Sequence, residues 1–74
     1  MALESVVEQQ GVHRVVLQEY PEGIYIFVFE RPDSRFPEKD YLQDNWEIAK
    51  DFCERNYGIP RHKWEGIPDT EFRG

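Results

Sequence analysis

What this sequence has little of does much of the sorting. Cys53 is its single cysteine. The chain cannot close a disulfide on itself, and one unpaired thiol suits a reducing compartment. His13 and His62 are the two histidines; they fall in different elements and, with one cysteine, make no zinc-type ligand spacing. Basic residues are short as well: nine Lys and Arg stand against fifteen Asp and Glu, a net charge of −6. Such a surface repels phosphate backbones, which counts against nucleic acid as a partner. No apolar run approaches the roughly 18 residues a membrane span needs. The start, "MALESVVEQQ", lacks the basic region and long apolar stretch of a secretory signal. A soluble, cytoplasmic protein is expected. Glycine-rich phosphate loops, nucleophile elbows and metal-binding loops are missing too, so no cofactor and no metal are expected.

What is present is a compact-core composition in a short chain. Residues 1–74 make one small domain, with 1–11 the least defined in the pattern, a short strand or a helical turn, and 69–74 expected to fray. A chain of this size buries only about 60% of its unfolded surface, so its core is minimal. The hydrophobic share of 39% is still too high for a disordered segment. Fifteen acids always provide close carboxylate pairs, here Asp40 with Asp44 and Asp51 with Glu54. They read as solvated surface, because a catalytic carboxylate needs a desolvated cleft that a small domain hardly builds. The expectation is not an enzyme.

Two β-rich runs, 12–20 and 24–31, flank Pro21-Glu22-Gly23. That triplet suits a three-residue hairpin loop, with glycine in the left-handed position. The register then opposes Tyr20 to Ile24, Val16 to Val28 and Arg14 to Glu30, and on the other side Leu17 to Phe27 and Val15 to Phe29. Val15, Leu17, Phe27 and Phe29 become the predicted core face. The reverse face mixes Val16, Ile24, Ile26 and Val28 with Arg14, Gln18 and Glu30, and these seven residues are the candidate interaction face. "RPDSRF" (31–36) has turn chemistry. A short edge strand is predicted at 38–42, guarded by Pro37 and Lys39.

The strongest local signal is a helix over 45–57. Asp44 is the predicted N-cap, with Glu47 completing a capping box. Trp46, Ile48, Ala49, Phe52, Cys53 and Tyr57 fall on one stripe. Gly58 and Pro60 end it. Cys53, on that stripe beside Ala49, reads as a small buried hydrophobe rather than a nucleophile. The fold class is therefore α+β: a two- or three-stranded antiparallel meander packed against one helix, with an extended C-terminal tail anchored by Ile59 and Trp64. "RHKW", Arg61, His62, Lys63 and Trp64, is the one basic cluster. It is a candidate tail contact for an anionic or protein partner.

Asp40, "EIAK" (47–50), "YGI" (57–59) and Trp64 together resemble a pattern of small uncharacterised bacterial proteins. Those carry a β-hairpin, a Glu-x-Ala-Lys helix and an aromatic-Gly-Ile/Val ending before a tryptophan. Leu42 stands where that pattern has tryptophan, and the resemblance carries no function.

Something must cover the second sheet face. The tail could do so through Ile59, Trp64 or Ile67; so could a twin molecule in a homodimer, or a different protein. Two functional expectations follow. The first is a non-catalytic protein–protein interaction module acting through the mixed apolar face. The second is an acidic inhibitor or antitoxin-like protein that covers a basic site with Glu47, Asp51 and Glu54.

Overall fold

The first residues of the chain, Ala2–Gln9, form a strand (β1), and it lies inside the sheet rather than beside it. The computed structural model describes residues 1–9 and 11–72. After β1 come β2 (Val12–Tyr20), β3 (Gly23–Phe29), β4 (Lys39–Gln43), helix α1 (Trp46–Tyr57), a 3-10 turn at Arg61–Lys63 and β5 (Glu65–Ile67). The strands lie in the order β4-β3-β2-β1-β5, each neighbour antiparallel. The architecture is α+β as predicted, but the sheet has five strands rather than two or three. The added strands carry the weakest patterns. β1 sets Ser5 between Leu3 and Val7 in its inward row, and β5 spans three residues.

The β2–β3 loop corrects the predicted register. Tyr20 pairs with Gly23, so only Pro21 and Glu22 form the loop, and Leu17 then meets Ile26 while Val15 meets Val28. Gly23 has φ +148, and a Cβ there would collide with the Gln43 carbonyl oxygen of β4. Its glycine serves the close approach of a neighbouring backbone, not a left-handed turn.

One residue of register reassigns the partners across the hairpin. Ile24, Ile26 and Val28 join Val15 and Leu17 beneath the helix, with Leu3, Val7, Ala49, Cys53 and Ile59. Phe27 and Phe29, predicted for that core, lie on the reverse face with Val16. The candidate interaction face is thereby split. Val16, Arg14 and Gln18 stay on the reverse side, whereas Ile24, Ile26 and Val28 are buried under α1. Glu30 follows β3 and pairs with Lys39 at 3.3 Å instead of with Arg14.

Asn45, not Asp44, caps the helix: its side-chain oxygen accepts the Ile48 N–H at 2.9 Å. Both are good caps, and the choice moves Glu47 out of capping-box position. At the far end Gly58, at φ +67, donates its N–H to the Glu54 carbonyl at 3.1 Å, the left-handed stop its sequence predicts. Ala49 and Cys53 face the sheet and are fully buried, while Ile48 of the predicted stripe is exposed. Burial pushes the Cys53 thiol up to about 12, so near neutrality it is a protonated, inert filler.

Ile26 distinguishes the two registers directly. Under the helix, Ile26→Ala is expected to cost about 2–5 kcal/mol, and Ile26→Lys to prevent folding because its charge has no buried partner. Circular-dichroism melts check this; a folded Ile26→Lys protein would return Ile26 to an open face.

Candidate interaction surface

The reverse face is covered by the chain's own tail. Val16, Phe27 and Phe29 are fully buried there, with Ile67 of β5 and Phe72 packed against them. The Phe72 ring sits edge-on to Phe27 at 5.6 Å and to Phe29 at 5.0 Å, the geometry aromatic quadrupoles favour. Tyr25 stacks on Phe27 at 5.7 Å. The Arg14 guanidinium lies 4.1 Å over the Phe29 ring and is held by Glu4 at 3.2 Å, joining a cation–π contact to an ion pair. Of the three predicted covers, Ile67 lies on this face; Ile59 and Trp64 pack on the helix side. Phe72 belongs to the segment 69–74 that was expected to fray; residues 73 and 74 of that segment lie outside the described residues.

Gln18 anchors the tail. It is buried, and its amide nitrogen lies 3.3 Å from both the Met1 carbonyl and the Asp69 carboxylate. Its amide oxygen accepts the Thr70 backbone N–H at 2.7 Å and the Thr70 hydroxyl at 3.1 Å. Asp69 also meets the N-terminal ammonium at 2.9 Å. That hydrogen bond, followed by the one from Gln18, holds its carboxyl below the usual range.

Arg61, His62, Lys63 and Trp64 do not converge. Arg61 pairs with Glu47 at 2.7 Å. Trp64 turns inward onto the helix-side core, its indole N–H buried without a hydrogen-bond partner among the described residues. His62 and Lys63 stay exposed. Lys63 borders an open groove of about 450 Å³ with Ser5, Val7, Tyr57, Ile59 and Pro60. On the helix, Asp51 pairs with Arg55 at 3.1 Å, so Glu47 and Asp51 are both engaged within the chain.

Apart from Met1 and Val6 at β1, the exposed large apolar side chains among the described residues gather around β4. Tyr41, Leu42 and Ile48 are 37%, 46% and 43% exposed, and Phe36, in the segment leading into the strand, is 70% exposed. β4 ends the sheet, and no strand among the described residues pairs with its outer side. Tyr41 faces the helix side, its ring 4.9 Å from Phe52. Burial first, and then the neighbouring Tyr41 hydroxyl, push the Tyr57 phenol above its ordinary value. Leu42, opposite Tyr25, points to the reverse side. The Gln43 carbonyl is turned onto β3 at Gly23. Alternation therefore turns the backbone N–H and C=O of Asp40 and Leu42 outward. The sequence predicts this edge strand and its guards but not its use; the signal was the Tyr41-Leu42 pair, which makes both faces of an edge apolar.

No family model matches the chain, and no curated protein or solved structure matches it. Among the described residues no helix is long and apolar enough to cross a membrane.

Two measurements test the tail. Phe72 is half-buried, so Phe72→Ala is expected to cost about 1–3 kcal/mol, less than a fully buried ring; an unchanged melting point would detach the tail from the sheet. Asp69 has a depressed carboxyl, so its contribution is present above the unfolded pKa and is lost as pH falls through the folded one. Asp69→Asn should therefore flatten the acid limb of stability below about pH 4 while leaving its shape near neutrality unchanged. An acid limb identical to wild type would show the contact to be idle.

Proposed function

We propose that this chain is a small non-catalytic interaction module whose β4 edge receives an extended segment of protein, in a cytoplasmic setting. One observation carries the reading: an unpaired strand edge is flanked by exposed apolar side chains on both faces, Tyr41 with Ile48 on one and Leu42 on the other. Edges of soluble proteins are usually blunted by charge, proline or a cover. Here the blunting is partial, with Lys39 held by Glu30. Strand addition suits such an edge, since main-chain bonds supply affinity and alternating side chains supply selectivity. The mixed apolar face read from the sequence no longer serves, because the tail and the helix occupy its two halves.

A photo-crosslinker placed at Leu42 in the native cell should form discrete protein adducts, whereas the same probe at His62 should form none. Adducts from His62 with none from Leu42 would move the contact to the tail cluster. Salt separates the acidic-inhibitor alternative. Edge pairing should persist at about 1 M salt, where exposed charges are screened beyond roughly 3 Å; loss of binding there would favour the acidic mechanism.

A further inference from the structure

We infer that the segment received at the β4 edge is basic, with a Lys or Arg opposite Asp40, an apolar residue opposite Leu42 and another between them opposite Tyr41. This rests on the edge reading above and adds the chemistry of the partner.

The charges along the edge decide it. Lys39 is held by Glu30 at 3.3 Å. Glu38 meets Arg31 at 3.7 Å and accepts the Glu30 backbone N–H at 2.7 Å. Asp40 lies within the strand, is exposed, and enters no ion pair among the described residues. Asp44, one residue past the strand, is exposed and unpaired in the same way. The open edge therefore carries two carboxylates without a counter-charge of their own.

Alternation sets what each face accepts. Asp40 and Leu42 share the reverse side, and Tyr41 stands between them on the helix side with Ile48 nearby. An added strand bonds the outward backbone groups of Asp40 and Leu42 and aligns its own side chains with these three. Opposite charges directly across a strand pair attract and like charges repel, so Asp40 admits a cation and turns away an acid. In a chain of net charge −6, the same carboxylate counts against a second copy. Main-chain bonds and apolar contacts supply affinity, and Asp40 supplies the choice. The pattern reads apolar-apolar-basic in an antiparallel partner and basic-apolar-apolar in a parallel one.

A phage-displayed library of random seven-residue peptides, selected on the full chain, tests this. Enriched peptides should carry the triplet, and a synthetic copy should shift the Asp40 and Leu42 amide signals of the isotope-labelled protein. Asp40→Lys changes an exposed site, and circular dichroism checks its fold. Selected on that variant, the library should yield an acid where the basic residue stood. A peptide chosen on the wild type should bind Asp40→Lys roughly tenfold more weakly. In about 1 M salt its binding to the wild type should weaken by about fivefold at most, because the main-chain bonds remain. Peptides that shift the Leu42 amide yet lack a basic residue, or bind Asp40→Lys equally well, overturn the basic partner and leave the edge reading standing. Peptides that shift neither amide, or a selection that yields none, overturn the edge reading, and this inference falls with it.

Discussion

With two residues between Tyr20 and Gly23, the central hairpin has no freedom over which side chains meet across it. Every larger contact inherits that choice. It sends the aliphatic residues Ile24, Ile26 and Val28 to the helix and the rings of Phe27 and Phe29 to the opposite side. The helix lays small residues, Ala49 and Cys53, onto the aliphatic surface, which allows close approach. The aromatic side needs a different cover. An extended tail carrying Phe72 supplies it, and the two covers together close the centre of both faces of a small sheet.

Gln18 explains how an extended segment with few contacts keeps its place. A tail crossing a sheet face without being a strand of that sheet brings backbone polar groups with no ladder to join. The buried amide supplies both a donor and an acceptor at that point, satisfying Thr70 and Asp69 while its own groups are satisfied in return. A leucine at the same position would bury more apolar area and leave the Thr70 N–H without its partner.

The helix was legible because its signals are local: a stripe, a cap and a glycine stop all lie within fifteen residues of one another. Even there, adjacent Asp44 and Asn45 carry equivalent capping chemistry, and their order alone does not decide between them. The hairpin was legible as a hairpin, but its register was not. Gly23 carries the same letter whether it turns the chain or admits the Gln43 carbonyl, and only the position of β4 decides. β1 is left between a short strand and a helical turn by its sequence because Ser5 interrupts its alternation, and β5 escaped because three residues carry no period. The candidate face failed with the register, while Arg14, Val16 and Gln18 kept their side. The β4 edge was legible as an edge. That Tyr41 and Leu42 stay uncovered depends on where the helix and tail stop, which is tertiary information.

The sheet order has a consequence for how the unit would sit on anything joined to it. Met1 leads into β1 at the end of the sheet formed by β1 and β5 and touches Asp69, from where the tail runs on across the reverse face to Phe72 over β3. β4 closes the other end, four strand spacings away, about 19 Å at the usual separation. A tether attached ahead of Met1 would therefore hold the domain by its back, with the open edge facing outward, whereas one attached beyond the tail would leave from over β3, beside that edge.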